Sequence, residues 1–177
     1  MDELIYDKSN TPRPPVMLLG PIAEVAATTL SRLFARYGLS LSYVATPAIP
    51  GSFWGAPEAG LRGHHLFVRA DTPLNSVLHE ASHFFCMDEA RRESLDTDAG
   101  GDDLEECAVC YLSLLLADLV PGYSLPALLH DMDSWGYSFR LGSAAAWFAS
   151  DAADARAWLH ARGWVDQAGC LSLPVAI

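Results

Sequence analysis

The stretch Ser76–Phe85, SVLHEASHFF, sets two histidines four residues apart with a glutamate directly after the first. Its other residues are mostly apolar, so it reads as part of a buried helix. At 3.6 residues per turn, His79 and His83 lie on one face, one turn apart, and both imidazoles can reach a single ion. Glu80 sits about 100° further round the helix, able to flank that ion without ligating it. Leaving these groups unpaired in an apolar setting would cost on the order of several kcal/mol. A divalent cation removes that cost. The spacing is the H-E-x-x-H arrangement, in which zinc takes the two histidines and the glutamate serves as general base toward a zinc-activated water. The competing reading is a polar cluster satisfied by hydrogen bonds inside the core.

Working outward, the helix should span about residues 73–87, with Pro73 in its first turn and Asp71 or Thr72 as its cap. HHLFVRA, residues 64–70, precedes it and reads as a strand, and LSLSYVAT, residues 39–46, as another. Between them lies a long loop rich in proline and glycine that carries Phe53 and Trp54. A helix beginning at Gly20-Pro21 puts Ile22, Ala26, Thr29, Leu33 and Tyr37 on one face and stops at Gly38. DEARRESLDTDAGGDD, residues 88–103, is polar and reads as a surface loop. A second apolar helix is expected over residues 104–119, and LPALLHDM, SAAAWFAS and AADARAWLHAR read as further helices, the last stopped by Gly163. Residues 1–15, ending in TPRPP, read as a tail, and residues 16–177 as one domain. The fold class is α+β: a small antiparallel or mixed sheet, the histidine helix, the second apolar helix, and extra C-terminal helices.

A catalytic zinc takes three protein ligands and keeps one position open. The second apolar helix begins DDLEECAVCYLSLLL and offers Glu105 and Glu106. Glu105 shares a face with Ala108, Leu112 and Leu115, and Glu106 with Val109, Cys110 and Ser113. Periodicity leans weakly to Glu105 as the inward one, although both also suit a helix N-terminus on electrostatic grounds alone. A cysteine-bearing site is the other possibility. Cys86 lies on the His79–His83 face, and Cys107 and Cys110 form a C-x-x-C. That pair sits inside a helix with no knuckle-like turn around it, and free cysteine is an ordinary buried residue.

HEASH followed by EECAVCYLSLLL resembles the gluzincin metallopeptidases. Glutamate, alanine three places on, an aromatic at six and a leucine pair at ten and eleven resemble the ImmA/IrrE-type members most, and a related pattern occurs in CAAX-prenyl proteases. The positions here are Glu105, Ala108, Tyr111, Leu115 and Leu116, so the resemblance favours Glu105 as third ligand. It spans roughly residues 63–118. It implies a zincin-like core, a Zn2+ cofactor, His79, His83 and Glu105 as ligands, Glu80 as catalytic base, and a zinc-dependent peptidase acting on a peptide or protein. It also implies that HHLFVRA is an edge strand that pairs with extended substrate. The family's aspartate or asparagine four residues after the ligand glutamate is Val109 here, a departure at a position that would orient a zinc-bound histidine. His130, Tyr137 and Arg140 are candidates by type for oxyanion stabilisation, and His64 and His65 for the cleft wall. The alternative is a catalytically silent zinc-binding or interaction domain on the same fold.

Across its 177 residues the chain carries a net charge of −11, which argues against nucleic acid and anionic membrane as partners. The opening MDELIYDKSN lacks the basic flank of an export signal, and no apolar run is long enough to span a bilayer. A cytoplasmic location is expected, with Cys86, Cys107, Cys110 and Cys170 as reduced thiols.

Overall fold

The computed structural model describes residues 21–172, with side chains from Glu24 onward; the tail expected over residues 1–15 lies outside them. In chain order the elements are α1 (Pro21–Ala35), β1 (Ser40–Tyr43), β2 (Gly60–Arg62), β3 (His65–Val68), α2 (Leu74–Cys86), α3 (Glu89–Ser94), α4 (Asp103–Ala117), α5 (Leu125–Trp135), α6 (Ala144–Ser150) and α7 (Ala153–Ala161). The fold is α+β with a small mixed sheet. Its order is β1-β3-β2, with β1 parallel and β2 antiparallel to β3.

β3 alternates as expected: Leu66 and Val68 are fully buried, and His65 faces solvent. It is the central strand, not an edge, because β2 folds back from the long loop to pair with it. The outer side of β2 is occupied too. Leu61 donates its N–H to the Gly51 carbonyl and accepts from the Thr97 N–H, at 3.1 and 3.0 Å. The edge-strand expectation therefore fails: both sides of β3 are paired, and the nearest outer edge is capped by backbone. β2 escaped the sequence reading because a three-residue strand shows no periodicity. Gly60 permits its close packing, since a Cβ there would lie 2.2 Å from the Pro50 carbonyl oxygen.

α2 begins after Pro73, whose φ of −65° suits the entry. Neither Asp71 nor Thr72 caps it. Asp71 is bound by Arg69, and Thr72 Oγ1 accepts the Arg69 N–H. The helix is buried on nearly every side and packs mainly on α4, which is itself covered by α7. The polar segment after α2 holds one short helix, α3, begun by the Asp88 carboxylate accepting the Arg91 N–H. From α3, Arg92 donates to the Phe84 and Phe85 carbonyls at the end of α2 and lies over the Phe84 ring at 4.6 Å. These contacts satisfy carbonyls that no helical N–H can reach.

The core is one cluster. Phe34 of α1, Leu66 of β3, Phe84 of α2, Leu112 of α4 and Leu128 of α5 are all fully buried within it. Phe85 stacks on Trp164 at 5.3 Å, joining the C-terminal segment to α2. Among the described residues, no helix is long and apolar enough to cross a membrane.

Candidate metal centre

His79 and His83 project from α2 into a cleft, with Nε2 atoms 3.1 Å apart and rings perpendicular. Glu106 reaches them from the first turn of α4. Its Oε1 lies 3.2 Å from His79 Nε2 and its Oε2 3.4 Å from His83 Nε2. One ligand atom from each of the three residues lies within 4.8 Å of the others. The trio is largely shielded from water, with side-chain exposures of 12, 6 and 28 %.

Glu106, not Glu105, completes the trio. Glu105 turns to the neighbouring face, where both its oxygens accept from Arg91 Nη1 at 2.8 and 2.9 Å. That contact, both oxygens on one guanidinium nitrogen, holds α3 against the start of α4. Apolar periodicity does not single out the inward glutamate because α4 is packed between α2 and α7. Both faces are buried: Val109, Cys110 and Ser113 beside Glu106 and Ala108 and Leu112 beside Glu105 are all inaccessible, with Leu115 alone of these partly exposed.

Moving the carboxylate to Glu106 also moves the position four residues on, from Val109 to Cys110. The Cys110 thiol is fully buried beside His79, whose proton affinity it raises. Cys86 shares the histidine face in sequence but lies outside the trio, and burial raises its pKa. Cys107 is half-buried, and all four cysteines are free thiols.

Burial disfavours charge throughout the site, and hydrogen bonds decide who keeps it. His79 loses proton affinity to burial, but its contacts with Cys110 and Glu106 more than restore it, leaving its pKa well above the usual imidazole value. His83 is pushed down to about 4 by burial and by the positive charge on His79. Glu106, despite burial, is held near 2 by its hydrogen bond to His79 and the charges of both imidazoles. Glu80 goes the other way. Burial raises its carboxyl to about 7, the His79 charge opposing and the negative charges of Glu106 and Glu58 assisting. A carboxylate poised near neutrality is suited to taking a proton and giving it back.

The cleft has a volume of about 500 Å³ and is walled by three loops around the histidine helix. Phe53 and Trp54 come from the β1–β2 loop, residues 97–103 from the α3–α4 loop, and Trp135, Tyr137 and Ser138 from the end of α5. Gly136, at φ 95°, turns the chain at the C-terminus of α5 and delivers Tyr137 to the site. The Tyr137 ring stands edge-on to His79 at 5.6 Å. The other oxyanion candidates lie elsewhere. His130 is exposed beside Ser134, and Arg140 is ion-paired with Asp151. His64 is held between the Gly38 carbonyl and Glu89, and neither it nor His65 lines the cleft. Phe53 and Trp54 are not core residues, with exposures of 56 and 48 %. Asn75 lines the cleft one turn before His79; the 75, 79, 83 spacing puts it on the histidine face, but an asparagine without a motif carries no signal in the sequence.

Two imidazole nitrogens and a carboxylate oxygen are donors that zinc accepts. Ligand atoms about 2.0–2.1 Å from a tetrahedral ion would stand about 3.4 Å apart. The two imidazole nitrogens, 3.1 Å apart, are close to that span, each has a Glu106 oxygen at 3.2 or 3.4 Å, and one ligand atom from each of the three residues lies within 4.8 Å of the others. The trio could hold a metal ion. Comparison with protein-family models, with curated proteins and with solved structures finds no match to this chain.

Proposed function

We propose that the chain is a zinc-dependent metallopeptidase that hydrolyses a peptide bond in the cleft above α2. The observation that carries the reading is the convergence of His79, His83 and Glu106 beside Glu80, within a cleft large enough for a polypeptide segment. The closest pattern in the sequence is the gluzincin one, with Glu106 in place of Glu105 as third ligand.

His79, His83 and Glu106 would hold the ion. Zinc, when bound, supplies a Lewis acid that polarises a carbonyl and makes water a nucleophile near neutral pH. Glu80, on the flank of the histidine pair, takes the proton of the attacking water and returns it to the departing amine. Tyr137, against the His79 ring, is the side chain best placed by type to donate to the developing oxyanion. Arg91 acts through Glu105: it fixes the start of α4 and so the position of the next residue, Glu106.

The test is Glu80→Gln. The variant should retain zinc one-to-one and lose about 10²–10⁴-fold in hydrolysis of a peptide library. If wild type cleaves and the variant cleaves equally well, Glu80 is not the base.

One observation favours a second reading. Cys110, buried beside His79 but outside the trio of ligand atoms, would close the site if its sulfur shifted onto the ion, giving a silent zinc-binding domain. Cobalt substitution separates the two: a sulfur-to-cobalt charge-transfer band marks the closed site, and its absence supports the open one.

A further inference from the structure

The cleft is one-sided in charge. Glu58, Asp98, Asp102 and Asp103 line it together with Glu80 and Glu106, and among the described residues no lysine or arginine does. Asp98, Asp102 and Asp103 are solvent-exposed. Asp98 and Asp102 each accept a single backbone N–H, from Gly100 and Glu105, which leaves each carboxylate an oxygen for a partner. The nearby cation Arg91 is engaged by Glu105. A divalent ion on His79, His83 and Glu106 would neutralise the centre and leave this rim negative.

Two further features point to what the rim receives. Phe53 and Trp54 stand exposed on the same cleft, edge to face at 5.1 Å, and present aromatic surface that favours a cation as well as apolar contact. Asn75, only 2 % exposed, lines the cleft with both Oδ1 and Nδ2 unpartnered. A buried carboxamide with neither atom satisfied is destabilising, and an apolar residue of the same shape would do better there. One acceptor and one donor side by side match the N–H and C=O of a peptide unit.

We propose that the cleft receives an extended polypeptide segment carrying a lysine or arginine close to the reacting amide, with the cationic side chain against the Asp98–Asp103 rim and a peptide unit paired to Asn75. The inference rests on the peptidase reading for its reaction but not for its binding chemistry. Attraction to exposed carboxylates is screened by salt, the Debye length falling from about 10 Å at 0.1 M to about 3 Å at 1 M. The preference for a basic residue should shrink accordingly.

The experiment has a cleavage arm and a binding arm. Zinc-loaded wild type is incubated with a degenerate peptide library, and cleaved bonds are read by mass spectrometry. Lysine or arginine should be enriched at least tenfold within three residues of the cut, and Asp98→Asn with Asp103→Asn should abolish the enrichment while neutral peptides are still cut. In the binding arm, zinc-loaded Glu80→Gln is titrated with a lysine peptide and its norleucine counterpart. The lysine peptide should bind at least tenfold tighter at 0.1 M salt, with the ratio approaching unity at 1 M. Adding Asn75→Leu should weaken both peptides about equally, by several-fold, without lowering the melting temperature. Cleavage with no basic enrichment overturns the substrate class and leaves the peptidase standing. Binding of the lysine peptide without cleavage by wild type overturns the peptidase and leaves the cation-binding cleft standing. Equal binding of the two peptides, or an Asn75→Leu protein that melts lower yet binds unchanged, overturns the proposal.

Discussion

Glu105 and Glu106 are adjacent, identical in chemistry and opposite in consequence, so exchanging each for glutamine tests the metal centre directly. Glu106→Gln removes the carboxylate that stands 3.2 and 3.4 Å from the two imidazole nitrogens. Loss of a partner one layer further out typically costs 10–100-fold in metal affinity, so loss of this ligand should cost more than about 100-fold. Glu105→Gln leaves the trio intact and removes the charge from the contact with Arg91. That pair lies between the limits of a surface bridge and a buried one: Glu105 is 12 % exposed and Arg91 36 %. Surface pairs contribute about 0–1 kcal/mol and breaking buried ones costs about 3–5, so about 1–2 kcal/mol is expected. For a chain of this length that is a melting point lower by roughly 2–8 °C. The assay is zinc per chain after desalting, with competition against a chelator of known affinity, alongside thermal melts of both variants. Glu106→Gln should lose zinc, and Glu105→Gln should keep it and melt lower. If Glu105→Gln releases the metal while Glu106→Gln retains it, the assignment argued from the geometry is wrong.

Three further outcomes are expected. A thiol reagent at pH 8 should modify exposed Cys170 rapidly and Cys107 slowly, since burial raises the Cys107 thiol to about 11; buried Cys86 and Cys110 should react only on unfolding. More than one rapidly reacting thiol in the native protein would contradict the packing. Tyr123 donates to Asp131 Oδ2 at 2.6 Å with both residues buried, so Tyr123→Phe should cost about 1.5–3 kcal/mol in chemical denaturation. Burial and that carboxylate raise the folded phenol pKa above its unfolded value near 10, so the folded state holds the proton longer. Stability should then fall by about 1.4 kcal/mol per unit as pH rises past 10, and Tyr123→Phe should flatten that slope. Gly60→Ala would place a methyl group 2.2 Å from the Pro50 carbonyl and should destabilise by about 1–3 kcal/mol.

Much of the architecture was legible in the linear pattern. The helix bearing SVLHEASHFF was expected over residues 73–87 and runs Leu74–Cys86; the second apolar helix, expected over 104–119, runs Asp103–Ala117. Both are long apolar segments whose local periodicity and tertiary packing agree. The i, i+4 pairing of His79 and His83 followed from helical pitch alone, and so did the flank position of Glu80. Short elements were not legible. β2 and α3 are too brief to carry a period, and what stabilises them is pairing: β2 with β3, and α3 through Arg91 and Arg92 to the helices it clamps.

What only the tertiary structure decided is which glutamate meets the histidines. Local pattern ranks the faces of a helix by hydrophobicity, and α4 has apolar neighbours on more than one side. Which buried face looks toward α2 depends on the rotation of one helix against another, a quantity set by long-range packing and by the Arg91 contact that draws Glu105 away. The same holds for β3, whose central place depends on a partner strand from the preceding loop, and for the cleft, assembled by three loops distant in sequence. Helical pitch made a pair of imidazoles predictable from ten residues; the third donor came from a neighbour whose orientation no local period encodes.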